Sequence, residues 1–285
     1  TVLLSGAGWG QSVSANNKYK VGRGEFQKGR YAQAIPYFEA AIKEDPRYVD
    51  AHYLMGLSYL GLADYAKAEE KLTYVIGLDP QFFAAHQYLG QVLMAAKKYD
   101  AAKTHFQRMQ TIPGGAATAH YCLGIVAYQQ KNLAQAESSW KEALRLDPKD
   151  ARSHNNLGVL RSAAGKHVEA LVSFQTASKM KPENSKYLLN EGYENLSLGR
   201  AETAKKIFER VQKRPDVPHE VGFLATALMA KIDGKWSNVL SFCERSIKLD
   251  PDYTQALVLR AEALEKLQKP DEAREAYQKA LESDP

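Results

Sequence analysis

The chain has 285 residues, 45% hydrophobic and 25% charged, with a net charge of +5 from 38 Lys and Arg against 33 Asp and Glu. These proportions exclude collagen-like, disulfide-stapled and disordered chains. Five net positive charges without a concentrated patch argue against a nucleic-acid partner.

The first residues, from Thr1 to Ala15, combine a short apolar run, several small residues and the ending Val13-Ser14-Ala15. That pattern suits the tail of a secretory signal, so residues 1–14 are expected to be a leader and the protein to be exported, periplasmic or extracellular. The other reading is a leader without a fold of its own on a cytoplasmic protein. No run of about 18 apolar residues follows, so no membrane span is expected.

From there on one period governs the sequence. Glycine recurs at Gly22, Gly56, Gly90, Gly124, Gly158 and Gly192, each 34 residues after the last. Alanine keeps the same step at Ala34, Ala68, Ala102, Ala136, Ala170 and Ala204. So does a large apolar residue at Phe38, Leu72, Phe106, Trp140, Phe174 and Phe208. The register then slips by one residue at Arg214-Pro215-Asp216-Val217-Pro218, where a local change in packing is expected. Beyond it the same positions hold Ala227 and Ala261, Val239 and Ala273, Cys243 and Tyr277. Prolines 46, 80, 148, 182, 251 and 285 close the units.

Each unit reads as two helices. Leu54, Met55, Tyr59 and Leu62 form one apolar stripe, Ala63-Asp64 interrupts it, and Tyr65, Ala68, Leu72, Val75 and Ile76 form a second. Gly29, Gly165, Gly199 and Gly234 stand at the equivalent interruption, where a turn needs positive φ. Cys122 and Cys243 form no CxxC pair, fall on apolar-periodic positions and read as core.

The pattern Leu-Gly, Tyr, Ala, aromatic, Ala, Pro at this spacing resembles the tetratricopeptide repeat, most fully from His154-Asn155-Asn156-Leu157-Gly158 through Ala170, Phe174, Ala177 and Pro182. The resemblance implies an all-α, right-handed α-solenoid of eight helix-turn-helix hairpins over residues 15–285, with units starting near 15, 49, 83, 117, 151, 185, 220 and 254. It also implies a concave groove lined by the first helix of each unit. Carried over unit by unit, the lining is Tyr19, Arg23, Tyr53, Leu57, Gln87, Gln91, Met94, Tyr121, Ile125 and Tyr128. It continues with Arg152, Asn155, Val159, Lys186, Leu189 and Tyr193, and Asn156 and Asn190 add an amide patch. Tyrosines and amides of this kind suit an extended peptide or a partner helix, although some of these tyrosines could pack between repeats instead.

Two groove chemistries of the family can be tested on these residues. The carboxylate clamp of chaperone-docking members needs Lys and Asn where this chain has Tyr19 and Arg23, and further Asn and basic residues where it has Leu54, Gln87 and Gln91. The asparagine ladder of sugar-transferase members keeps only Asn156 and Asn190, against Lys20, Leu54, Tyr88 and Cys122.

The remaining motifs do not support an enzyme, and no cofactor or metal is expected. Gly22 to Arg30 lacks the Gly-Lys-Ser/Thr of a phosphate loop, and no HExxH, GxSxG or EF-hand loop is present. Asn195-Leu196-Ser197 is a glycosylation sequon within an expected helix. The basic run Lys205, Lys206, Arg210, Lys213 and Arg214 is interleaved with Glu202, Glu209 and Asp216, as a solvated face is. His52, His86, His120 and His154 share one slot, but equivalent slots on stacked hairpins lie about 8–10 Å apart, too far to share a metal. The expected function is therefore a non-enzymatic protein-interaction scaffold. The second reading is a docking or regulatory array of a larger enzyme or assembly machine, with catalysis outside this chain. The absence of a polar capping helix before Pro285 motivates it, and also motivates an expectation of self-association through terminal repeats.

Overall fold

The computed structural model describes residues 13–283, which fold into sixteen helices with no strand among them. Residues 1–12, with most of the expected leader, and residues 284–285, with the last closing proline, lie outside the described residues. Val13-Ser14-Ala15 is the start of the first helix, and Ala15 is fully buried.

The chain divides into two compact units, Thr1–Pro148 and Lys149–Pro285. Unit one contains α1 (Val13–Gln27), α2 (Tyr31–Glu44), α3 (Val49–Gly61), α4 (Tyr65–Leu78), α5 (Phe83–Ala95), α6 (Tyr99–Gln110), α7 (Ala116–Gln129) and α8 (Leu133–Leu146). Unit two contains α9 (Ala151–Ala163), α10 (His167–Met180), α11 (Ser185–Ser197), α12 (Ala201–Gln212), α13 (His219–Ile232), α14 (Trp236–Leu249), α15 (Thr254–Lys266) and α16 (Pro270–Ser283). Within each unit every helix packs on the next in sequence, giving four stacked hairpins, the architecture of an α-solenoid. First helices of neighbouring hairpins also touch, α1 with α3, α3 with α5 and α11 with α13.

The repeating glycine closes each hairpin. A Cβ placed on Gly22, Gly90, Gly124, Gly158 or Gly192 would stand less than 3 Å from ring atoms of Phe38, Phe106, Trp140, Phe174 or Phe208 on the second helix. The alanine of the second helix is buried in every one of these hairpins. At Gly56 the facing side chain is Leu72, with Cγ 3.0 Å from the added atom. The departure in the seventh hairpin is a volume exchange: Ala227 adds a methyl group and Cys243 replaces the ring, and both are fully buried. In the eighth, Ala261 is buried and the Tyr277 ring is only half-buried, its hydroxyl donating to Glu265 at 3.2 Å.

All eight hairpin turns use one left-handed residue. Four are glycines, Gly29, Gly165, Gly199 and Gly234, and four are Ala63, Lys97, Lys131 and Gln268 at φ near 60°. Asp64 and Asn132 then cap the second helix by accepting from the backbone N–H of Lys67 (3.2 Å) and Gln135 (3.1 Å). Between hairpins, Asp45 and Asp79 end their helices in extended conformation and accept from the N–H of Arg47 (3.1 Å) and Gln81 (2.9 Å), turning the chain around the proline. The inserted linker before the seventh hairpin is held by an Arg214–Asp216 ion pair at 2.9 Å, with Val217 packed on the core.

Three outcomes follow for stability. Gly90→Ala should destabilise unit one by about 1–3 kcal/mol through overpacking. Gly24→Ala, in the same class of helix but with nothing near the new methyl, should stabilise it by about 0.5–1 kcal/mol; denaturant titration reads both. Lys131→Gly should stabilise by about 1 kcal/mol, because it removes a side chain from a left-handed residue at φ 61°; the thermal midpoint reads it.

Candidate functional site

The first helices carry the side chains that the repeat pattern offers to a partner, and packing has already used some of them. In unit one, Tyr19 and Tyr53 are buried at 5% and 1% exposure, which corrects their place in the expected lining. Tyr19 lies 5.0 Å from the Tyr48 ring and 6.1 Å from Phe38, and Tyr53 lies 5.0 Å from Phe82 and 6.1 Å from Tyr88. Tyr48 and Phe82 follow the closing proline by two residues, and each fills the gap between adjacent first helices with the tyrosine of the preceding hairpin. Burial raises the pKa of both tyrosines. Leu189 in unit two is likewise fully buried, within the apolar core of that unit, and leaves the expected lining.

What unit one leaves accessible is Arg23 and Gln91, exposed, with Leu57, Gln87, Met94, Tyr121, Ile125 and Tyr128 half-buried. The Tyr128 ring leans on Trp140 at 6.0 Å, and the Trp140 Nε1–H donates to the Tyr121 carbonyl at 3.1 Å, so the second helix braces both tyrosines.

Unit two carries a connected row of amides. Asn190 Nδ2 on α11 donates to Asn155 Oδ1 on α9 at 2.8 Å. Gln255 Nε2 on α15 donates to Asn190 Oδ1 at 3.4 Å, and Asn155 Nδ2 to Asn156 Oδ1 at 3.4 Å. Gln255 thus reaches Asn190 from two hairpins away. Neighbouring packed helices lie about 8–10 Å apart, so this reach requires the first helices of unit two to converge on that side. Gln255 lies beyond the expected lining, which was carried over only through the sixth hairpin. Its position one after the unit start, shared with Arg152 and Lys186, was the available signal.

Beside the amides, Arg152 is exposed and held by the buried Asp150 at 2.7 Å, with Ser153 Oγ donating to the other carboxylate oxygen at 2.7 Å. Lys186 is exposed. Tyr193 stands edge-on to Phe208 at 6.1 Å, and burial of its hydroxyl raises its pKa well above the usual phenol range.

The recurrent histidines tie hairpins to their linkers. His52 Nε2 lies 3.0 Å from the Pro46 carbonyl and His86 Nε2 3.3 Å from the Pro80 carbonyl. The Tyr74 hydroxyl donates to the same Pro46 oxygen at 3.1 Å, its ring 4.4 Å from His52. Before the fourth hairpin the linker is Pro113-Gly114-Gly115, and His120 contacts the Gln110 side chain at 3.3 Å instead. The sequon asparagine, Asn195, is buried and donates to the Glu191 carbonyl at 2.8 Å, so glycan attachment there would break the packing. Cys243 is buried among apolar side chains, which pushes its thiol up to about 12 and makes it inert. No helix among the described residues is long and apolar enough to cross a membrane.

Stacked hairpins with side chains presented from one helix of each pair define an α-solenoid repeat protein. Sequence models of the tetratricopeptide repeat match residues 25–70, 53–117, 115–183 and 254–285, and the chain belongs to that family. It is similar in structure to a tetratricopeptide repeat protein from Parabacteroides merdae, at 13% identity and TM-score 0.68, over 88% of this chain and 99% of the other. It is also similar to PilW, a type IV pilus biogenesis factor, at 21% identity and TM-score 0.60, over 70% of this chain and 93% of that one. For pilF of Pseudomonas aeruginosa the values are 19%, 0.61, 72% and 93%. No curated protein matches the sequence significantly.

The environment of His52 gives a pH expectation. Burial, only partly offset by the Pro46 hydrogen bond, lowers its pKa in the folded chain below the value of about 6.5 it has when unfolded. As pH falls below about 6.5 the unfolded chain takes up a proton that the folded chain resists, so stability drops with acidity. The thermal midpoint should fall between about pH 7 and 5, and His52→Gln should fall less steeply across the same window.

Proposed function

We propose that this chain is a non-enzymatic protein-interaction scaffold that binds an extended peptide segment of its partner along the first-helix face of unit two. Membership of the tetratricopeptide repeat family supports a protein partner in general. The observation that carries the finer reading is the amide row Asn156, Asn155, Asn190 and Gln255. Each side-chain amide has two N–H donors and two acceptor lone pairs, and the row consumes only part of that capacity. What is left is a line of alternating donors and acceptors, the chemistry of an extended peptide backbone, with the exposed Lys186 one turn from Asn190 to attract an acidic segment. In unit one, Leu57, Met94, Ile125 and Tyr128 offer half-buried apolar contact that suits a partner's aliphatic side chains.

The charge pattern supports protein over nucleic acid. Within the basic stretch of α12 and its linker, Lys205 pairs with Asp233 at 2.7 Å and Arg214 with Asp216, so part of its charge is already neutralised.

The test is selection from a random peptide library on the full chain, followed by anisotropy titration of the enriched sequences. Asn155→Ala with Asn190→Ala should weaken binding about ten-fold, as the loss of one to two net hydrogen bonds implies, with helical circular dichroism unchanged. Tyr121→Ala with Tyr128→Ala should weaken only ligands that carry aliphatic or aromatic anchors. Equal affinity in wild type and the amide variant would remove the amide row from the function.

A further inference from the structure

The third hairpin contains a pair of histidines that the repeat does not require. His86 on α5 and His105 on α6 face each other with their Nδ1 atoms 3.1 Å apart and their ring centroids 5.3 Å apart. A carbonyl oxygen only accepts, so the contact of His86 Nε2 with the Pro80 carbonyl places the proton on Nε2 and leaves a bare lone pair on Nδ1. That lone pair points at His105. In the metal-free chain His105 must then donate its own Nδ1–H to hold the contact.

The same spacing suits a metal once the rings turn so that both lone pairs converge on one ion. With nitrogen–metal bonds of about 2.0–2.1 Å, two nitrogens 3.1 Å apart subtend an angle of about 98° at the ion. That value lies between the roughly 90° of a tetragonal site and the roughly 109° of a tetrahedral one. Histidines that bind metals commonly brace the second ring nitrogen on a backbone carbonyl, as His86 does on Pro80. Burial, and for His105 also the neighbouring His86, lowers the pKa of both rings, so protons compete little for them at neutral pH. Asp79 lies in the field of His86 and Glu69 in that of His105, while Arg108 opposes a cation. Glu69 itself is engaged with Lys98 at 2.8 Å.

We propose that His86 and His105 form a two-histidine site for a late first-row divalent cation, copper(II) ahead of zinc, which clamps α5 to α6. The order follows the general preference of imidazole sites along the first transition row. On binding, each Nδ1 gives its lone pair to the ion and the Nδ1 proton of His105 moves to its Nε2, so the pair stays neutral. No third histidine, cysteine or carboxylate completes the group among the described residues, so water fills the remaining positions. Affinity is accordingly below that of a structural site with four protein ligands. The sequence argument concerned a metal shared between adjacent repeats; in this proposal the second ligand comes from the other helix of the same hairpin.

The second hairpin supplies the control. His52 occupies the slot of His86 and makes the same linker contact, its Nδ1 is buried without a partner, and Lys71 stands 34 residues before His105 in the facing slot. His105→Lys therefore installs a pairing that this scaffold already accommodates. Isothermal titration of the full chain with copper(II) and, separately, zinc(II) should show an equivalent that raises the thermal midpoint and is weakened at least about ten-fold in His105→Lys. Lys71→His should add a second equivalent, and the copper spectrum of the wild type should show two coordinated nitrogens. Superimposable titrations of wild type and His105→Lys would overturn the site. So would a Lys71→His variant that folds normally and gains no equivalent, because it carries both side chains in the same slots.

Discussion

The contact on which the other features depend is a missing Cβ facing a ring. At five hairpins a glycine on the first helix lets an aromatic ring of the second helix lie against bare backbone, closer than any side chain would permit. That approach fixes the helix separation within each hairpin, and a fixed separation fixes how one hairpin stacks on the next. Where the contact changes, only the seventh hairpin changes both sides. Leu72 faces Gly56 with a smaller side chain, and Cys243 replaces the ring where Ala227 replaces the glycine. In the seventh hairpin the added methyl is offset by the smaller side chain opposite it, and the helices stack on their neighbours as elsewhere.

Stacking then decides what the first helices can offer to a partner. The Tyr19 and Tyr53 rings have the residue type of a binding face but fill the gap between first helices, held by Tyr48 and Phe82 from the following linker. Tyr121 and Tyr128 occupy similar sequence positions and remain half-buried, braced by Trp140. In unit two Asn155 takes the slot of Tyr121, Asn156 and Asn190 stand one residue further on in their hairpins, and the convergence of the first helices lets Gln255 join the row. One unit thus offers apolar contact and the other hydrogen-bonding capacity, both from first helices but from different slots of the repeat.

Much of this was legible in the residues. The glycine, alanine and ring positions, each at the same period, report helix-to-helix approach directly, since only small residues permit it. The turn glycines showed where φ is positive, but Ala63, Lys97, Lys131 and Gln268 adopt the same conformation without announcing it, because the geometry of the hairpin imposes it. The histidine slot was visible as a repeat, while its partners were not. Pro46 and Pro80 carbonyls, the Gln110 amide and His105 come from linkers and second helices whose distance to the slot depends on packing.

The sequence by itself determined the class of fold, the number of hairpins and the identity of the residues that cannot vary in size, because a periodic chain of paired amphipathic helices has few other ways to bury its apolar stripes. Only the tertiary structure decided which slots remain open. Whether a tyrosine at a given slot faces solvent or a neighbour's ring, and whether Gln255 meets Asn190 or His86 meets His105, depends on distances between helices that are remote in sequence. Those distances are set by the sum of many side-chain volumes, and no local pattern of residues encodes that sum.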